Sequence, residues 1–132
     1  MPDEYVVRVI GYIHSELRDA AQAPKQGTEG APDAWLDLAP YAVPAARGLR
    51  AGQRLVVVSW LHQANRDLLE VHPRDDPRNP LTGVFATRSA DRPNPLGLHR
   101  VTIREVNEGR LRIGPIEAVD GTPIVDLKVD LD

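Results

Sequence analysis

The sequence Arg54-Leu-Val-Val-Val-Ser-Trp-Leu61 is an almost uninterrupted apolar run, rich in β-branched residues. Turn-forming residues precede it, from Gly48 to Gly52. A short apolar run bounded by turn signals is typical of a β-strand buried by its neighbours. This stretch therefore predicts the central strand of the fold.

The rest of the chain alternates short apolar segments with clusters of Gly, Pro, Asn and Asp. Residues 101–106 and 111–116 flank Asn107-Glu108-Gly109 and predict an antiparallel hairpin. Further strands are predicted at residues 5–14, 34–38, 68–71, 83–87 and 123–131, with one or two helical turns at residues 40–47. About seven short strands and little helix predict an all-β, mainly antiparallel fold, a small β-barrel or half-barrel.

The composition indicates one domain, residues 1–132, without cysteine and without an apolar run of the ~20 residues that a membrane span needs. The N-terminus is acidic, whereas a signal peptide would begin with basic residues, so the sequence predicts a cytoplasmic protein. The net charge of −3 gives no general attraction to nucleic acid. Residues 74–104 nevertheless carry six arginines against three aspartates, a local charge of +3, and this arginine patch makes tRNA a possible partner. Its members are Arg74, Arg78, Arg88, Arg92, Arg100 and Arg104.

The stretch from Gly83 to Val101 joins two apolar segments through a loop containing Arg88, Arg92, Asn94 and two prolines. Proline fixes φ and restricts the residue before it, so this loop keeps its shape without a ligand. A rigid loop of this polarity predicts a binding site. The chain lacks the Gly-rich turns of Rossmann and P-loop nucleotide sites.

The same stretch, Gly83-Val-Phe-Ala-Thr-Arg-Ser-Ala-Asp-Arg-Pro-Asn-Pro-Leu-Gly-Leu98, resembles the hallmark motif of the TsaA-like family. That motif reads Gly-Val-Phe-Ala-Thr-Arg-Ser-x-x-Arg-Pro-Asn-Pro-Ile-Gly-Leu. The resemblance extends over nearly the whole chain, through Ile10-Gly-Tyr-Ile-His-Ser15, Pro24-Lys-Gln26, Ser59-Trp-Leu-His62 and Asp120-Gly-Thr-Pro123. The chain departs from the family pattern in having Lys25 for arginine, Glu117 for aspartate, and no Pro-Tyr after Lys128.

The family includes the TrmO-type methyltransferases, which use S-adenosyl-L-methionine to methylate N6 of threonylcarbamoyladenosine at position 37 of tRNA. The resemblance implies a non-Rossmann β-barrel that binds this cofactor and works as a homodimer, with the cleft near the dimer interface. No metal is expected, because the histidines lack a metal-ligand spacing. Cofactor-binding positions implied by the resemblance and by the chemistry of the cofactor are Lys25, Gln26, His62, Gln63, Phe85, Arg88, Leu98 and Glu117.

The tRNA acceptor is a urea-like nitrogen, so removal of its proton would assist methylation. Asp126, Glu117 and His62 are the candidates for a general base, and the sequence does not rank them. Arg92 either binds a phosphate or carboxylate of the substrate or holds its own loop through backbone carbonyls. Asn94 and Lys128 are further substrate-binding candidates; Asn94 also suits a loop-organising role, and Lys128 suits an ion pair with Asp126.

Two alternatives remain beside a methyltransferase. One is a non-catalytic module that binds S-adenosyl-L-methionine or a nucleotide and regulates a partner. The other is a barrel that binds RNA through the arginine patch without chemistry.

Overall fold

The computed structural model describes residues 3–18 and 30–131. Within these ranges the chain forms eight strands: β1 (Gly11–His14), β2 (Ala34–Leu38), β3 (Arg54–Trp60), β4 (Glu70–Val71), β5 (Thr82–Gly83), β6 (Leu96–Asn107), β7 (Arg110–Gly114) and β8 (Pro123–Val129). Short 3-10 helices cover Pro40–Ala46, Pro73–Asp75 and Val84–Ala86. In the described ranges, no helix has the length and apolar character required to cross a lipid bilayer.

Six of these strands close into an antiparallel barrel in the order β1-β2-β7-β6-β3-β8, and β8 returns to pair with β1. Gly11 of β1 lies opposite Ile124 of β8 at this closure. The two remaining strands, β4 and β5, form a small separate hairpin. The predicted all-β antiparallel barrel is confirmed, as a closed barrel rather than a half-barrel.

The strand β3 is central, as predicted, because it pairs with β6 on one side and β8 on the other. Its side chains alternate: Leu55, Val57 and Ser59 are buried inside the barrel, while the residues between them are half-buried on the outer face. Alternation follows from the two-residue period of a strand. The barrel interior is aliphatic, with fully buried residues contributed by the other barrel strands: Ile13, Leu36, Ile103, Leu111, Ile113 and Ile124.

Three predicted elements differ in the structure. The strand predicted over residues 83–87 is wrong beyond Gly83, because Val84–Ala86 forms a 3-10 helix. The strand predicted over residues 5–14 is wrong for its first part, because only Gly11–His14 has neighbouring strands and Tyr5 and Val6 are 82% and 95% exposed. The helical turns predicted over residues 40–47 form a 3-10 helix with Pro44 inside it. Proline lacks the N–H group that a longer α-helix would need.

A β-bulge in β8 decides which of its side chains face outward. The register of β8 against β3 shifts between Val58 and Ser59, which lie opposite Asp126 and Ile124. The extra residue lets Ile124 and Leu127 both pack toward the core although they are three positions apart. Asp126 and Lys128 consequently lie exposed on the outer face of the barrel.

Candidate functional site

A cleft of about 540 Å³ lies at the end of the barrel where β3 ends and β6 begins. Ligand-binding clefts for small molecules generally fall between ~300 and 1,000 Å³. Five segments contribute to its walls: residues 61–64 after β3, 71–75 around the second 3-10 helix, 86–92 of the polar loop, 96–99 of β6, and 117–122 before β8. The cleft therefore gathers segments that are far apart in the sequence.

The polar loop is held in shape by Arg92. Its Nη2 donates to the backbone carbonyl oxygens of Val84 and, at 3.1 Å, of Thr87. The Thr87 hydroxyl donates to the Val84 carbonyl as well, at 2.8 Å. Charge-assisted hydrogen bonds of this kind are stronger than neutral ones. Arg92 thus has the loop-holding role considered for it, and the same side chain lines the cleft.

The loop is also tied to the segment that follows β3. The Leu61 amide donates to the Pro95 carbonyl at 2.8 Å, and the Arg66 guanidinium donates to the Pro93 carbonyl at the same distance. The backbone amide of Asn65 donates to Asp91 Oδ1, also at 2.8 Å. The segment that follows β3 and the polar loop, which contribute two walls of the cleft, are therefore fixed to each other.

Three side chains form a hydrogen-bonded chain from the barrel interior to the cleft. Ser59 Oγ lies 2.7 Å from His99 Nε2, and His99 Nδ1 lies 2.6 Å from Glu117 Oε1. Ser59 is fully buried and His99 is 5% exposed, whereas both His99 and Glu117 border the cleft. The chain ends in a carboxylate fixed at the cleft wall.

The charges lining the cleft are balanced. Three arginines (Arg74, Arg88, Arg92) and three carboxylates (Asp75, Asp91, Glu117) border it. Apolar walls come from leucine, alanine and valine side chains of the same segments. The cleft suits a ligand that carries positive and negative groups together with an apolar body.

The predicted arginine patch is divided in the structure. Arg74, Arg88 and Arg92 line the cleft. Arg104 pairs with Asp33 at 3.5 Å, and Arg78 pairs with Asp76 at 2.7 Å. The Arg78 guanidinium, with the Arg78 backbone amide, holds the pKa of the Asp76 carboxyl below its ordinary value. Part of the patch is therefore neutralised locally.

The structure brings together six of the residues predicted from the sequence, which all border the cleft: His62, Gln63, Arg88, Arg92, Leu98 and Glu117. Arg88 donates to the Leu98 carbonyl at 3.3 Å. Within the described ranges, no group of three or more His, Asp or Glu side chains is arranged to hold a metal ion.

Four other predicted residues lie away from the cleft walls. Phe85 is 84% exposed on the 3-10 helix beside the cleft, and Asn94 is exposed on the polar loop. Asp126 and Lys128 lie on the outer face of β8. Lys25 and Gln26 fall outside the described residues.

Sequence reasoning missed Ser59 and His99, because their partners are 40 and 18 residues away. The one available signal was a serine at an inward position of the apolar strand β3, since a buried hydroxyl requires a partner.

The sequence matches known proteins over most of its length. The profile of the family described as "tRNA-methyltransferase O N-terminal domain" matches residues 12–131. A probable S-adenosyl-L-methionine-binding protein of Methanothermobacter thermautotrophicus is 35% identical over 125 residues, which cover 95% of this chain and 89% of that protein. The tRNA (adenine(37)-N6)-methyltransferase of Escherichia coli is 38% identical over 128 residues, covering 90% of this chain and 54% of that enzyme.

Solved structures agree with these matches. The crystal structure of TrmO from Pseudomonas aeruginosa superposes with a TM-score of 0.75 at 31% sequence identity, over 97% of this chain and 56% of that one. The chain thus spans little more than half the length of these two TrmO-type proteins. With the profile match over residues 12–131 and the shared barrel, the chain belongs to the TrmO N-terminal domain family, as the resemblance of its polar loop predicted.

Proposed function

We propose that the cleft binds S-adenosyl-L-methionine and that the protein transfers the cofactor's methyl group to N6 of threonylcarbamoyladenosine at position 37 of tRNA, or to a related acceptor. The observation that carries this proposal is the cleft itself, in which a fixed carboxylate and three arginines border apolar walls. The names of the relatives support the cofactor and the tRNA substrate.

The cleft residues fit the chemical groups of this cofactor. S-adenosyl-L-methionine carries a sulfonium cation, an ammonium, a carboxylate and an adenosine. Glu117 would face a cationic group. Arg88 retains N–H donors for the carboxylate, because its hydrogen bond to the Leu98 carbonyl uses one Nη2 donor. The apolar walls, which include Leu98, would take the adenine.

When bound, the cofactor supplies an electrophilic methyl group. The protein's contribution is to place the acceptor nitrogen in line with that group and to exclude water, which supplies much of the acceleration in a displacement reaction. Of the three candidate bases, His62 and Glu117 border the cleft and Asp126 does not. His62 is exposed at the cleft, and we propose that it accepts the N6 proton as the new N–C bond forms.

We further propose that the protein acts as a homodimer on tRNA in the cytoplasm. Large apolar side chains are exposed on and beside the β4–β5 hairpin, next to the cleft: Leu69 is 64%, Leu81 56% and Phe85 84% exposed. A clustered apolar surface of this kind is typical of an interface. A dimer formed there would cover Phe85 beside the cleft, where it could supply the apolar wall that the chemistry of the cofactor requires.

The direct test is methyl incorporation from labelled S-adenosyl-L-methionine into tRNA that carries threonylcarbamoyladenosine. We expect label in this tRNA and none in tRNA prepared without the modification. Arg88→Ala should lower incorporation, while Arg110→Ala, which pairs with Asp37 outside the cleft walls and outside the arginine patch, should not. Equal labelling of both tRNAs would contradict the proposed acceptor.

One observation favours a second candidate, a non-catalytic cofactor-binding module. The chain covers 89% of a relative named for binding alone, but 54% of the named methyltransferase. Binding of S-adenosyl-L-methionine without methyl transfer to any cellular RNA would support this second function and exclude the first.

A further inference from the structure

We propose that His99 is a positioning residue that fixes the Glu117 carboxylate in the cleft wall, with Ser59 as the buried anchor of the histidine. The fixed carboxylate then recognises a cationic group of the ligand. This inference rests on the proposed function, because it identifies the cation as the sulfonium of S-adenosyl-L-methionine.

The contacts of His99 fit one neutral tautomer when Glu117 is ionised. With Glu117 ionised, its Oε1 can only accept, so His99 Nδ1 carries the proton and donates over 2.6 Å. In a neutral imidazole the other nitrogen, Nε2, is then an acceptor, and the Ser59 hydroxyl donates to it over 2.7 Å. Both ring nitrogens are used, so the ring cannot rotate without losing a bond on each side.

Serine hydrolases also contain a serine, a histidine and a carboxylate linked by hydrogen bonds. In this barrel, however, the serine is the buried end and the carboxylate is the accessible end. In a hydrolase the serine faces the substrate and the carboxylate lies behind the histidine. In this barrel Ser59 is fully buried, while the Glu117 side chain is 18% exposed and borders the cleft. The accessible end of the chain is therefore the carboxylate, and its role is recognition rather than nucleophilic attack.

Gly97 provides the space that this arrangement needs. A Cβ atom at position 97 would lie 2.5 Å from Ser59 Oγ and 2.9 Å from His99 Nε2, closer than real Cβ contacts. The hydrogen bond between Ser59 and His99 therefore requires glycine at this position. Gly97 stands in the family motif, so the motif itself makes room for the buried anchor.

A carboxylate held in advance loses less conformational freedom when a cation binds than a mobile one does. One oxygen of Glu117 is held by His99, and the side chain faces the ligand space with restricted motion. Among ligands of similar shape, such a group discriminates by charge. It should therefore favour a sulfonium over the neutral thioether of S-adenosylhomocysteine.

The test compares the affinities for S-adenosylmethionine and S-adenosylhomocysteine by calorimetry. His99→Gln keeps a polar atom near the Nε2 position and loses the donor to Glu117, whereas His99→Asn keeps a donor near the Nδ1 position. We expect His99→Gln and Glu117→Gln to lower the sulfonium-to-thioether affinity ratio about tenfold, which corresponds to about 1.4 kcal/mol. His99→Asn, which keeps a donor to Glu117 but loses the contact with Ser59, should lower the ratio less than His99→Gln does.

The matched control is His14→Gln, because His14 also contacts a carboxylate, Asp37, at 2.7 Å, but lies outside the cleft walls. Its ratio should equal that of the wild type. If His99→Gln does not fold, Ser59→Ala tests the anchor and should lower the same ratio. A purely structural role would weaken both ligands equally and leave the ratio unchanged.

An unchanged ratio in folded His99→Gln or Ser59→Ala, with a lowered ratio in Glu117→Gln, would overturn the positioning role and leave the proposed function standing. An unchanged ratio in Glu117→Gln would overturn recognition by the carboxylate. Wild-type protein that binds neither ligand would overturn the proposed function together with this inference.

Discussion

Replacing Gly97 with alanine should destabilise the barrel at its cleft end. The added Cβ would meet Ser59 Oγ at 2.5 Å and His99 Nε2 at 2.9 Å, so the buried hydrogen bond between them must stretch or break. Overpacking of a filled interior costs about 1–3 kcal/mol. The lower entropy of alanine in the unfolded chain offsets about 0.4–1 kcal/mol of this. We expect a net loss of about 1–2 kcal/mol.

Urea denaturation followed by circular dichroism measures this loss. With an m-value of about 2 kcal/mol/M, the midpoint should fall by roughly 0.5–1 M. Gly83→Ala is the matched control, since Gly83 has an extended backbone and a Cβ there would meet nothing within 4 Å. That variant should stay within about 0.5 kcal/mol of the wild type.

A double-mutant cycle with Ser59→Ala identifies the cause. Ser59→Ala alone leaves His99 Nε2 without its donor and should cost about 1–3 kcal/mol. Because it also removes the Oγ atom that the new Cβ would strike, Gly97→Ala should cost less in the Ser59→Ala background. Full additivity, or a Gly97→Ala variant as stable as Gly83→Ala, would show that the added Cβ does not collide with Ser59 Oγ.

Three further variants test other parts of the structure. Leu36→Ala removes a fully buried side chain and should lower the free energy of unfolding by about 2–5 kcal/mol in the same denaturation assay; a loss below 1 kcal/mol would contradict the packing of the core. Arg78→Ala should raise the pKa of Asp76 toward its ordinary value of 3.8 in a carboxyl NMR titration, and an unmoved pKa would show that the pair does not form in solution. Because the Asp76 pKa is lowered in the fold, the stabilisation by this pair is present above the ordinary pKa and fades as the pH falls through the lowered one. Arg92→Ala removes the donor to two loop carbonyls and should speed amide hydrogen exchange at residues 84–88, whereas unchanged exchange would assign the rigidity of the loop to its prolines alone.

The parts of the fold that could be predicted are those whose signals lie in residues close together in the sequence. The apolar run that became β3 and the turn at residues 107–109 between β6 and β7 carry their signals within a few residues. The closure of the barrel depends on Gly11 meeting Ile124, a contact between distant segments that no local pattern encodes. The bulge in β8 likewise has no local signal in the sequence, because it is defined by a shift in its register against β3.

In the candidate site, too, the features that depend on neighbouring residues could be predicted, and the contacts between distant segments could not. The polar loop was predictable because its prolines, arginines and family motif are contiguous, and it supplies Arg88, Arg92 and Leu98 to the cleft. His99 directly follows that motif, yet its importance depends on Glu117 and on Ser59 in a neighbouring strand. Periodicity alone shows that two residues face inward, but not that they touch.

The most direct test of cofactor binding in the cleft is a calorimetric titration of the purified protein with S-adenosyl-L-methionine. We predict saturable binding by the wild type, weakened about 10- to 100-fold in Arg88→Ala, as expected for loss of a hydrogen-bonded charge partner. Arg104→Ala, whose side chain pairs with Asp33 outside the cleft walls, should bind like the wild type. Absence of binding at millimolar cofactor, or equal weakening by both substitutions, would contradict the assignment of this cleft as the cofactor site.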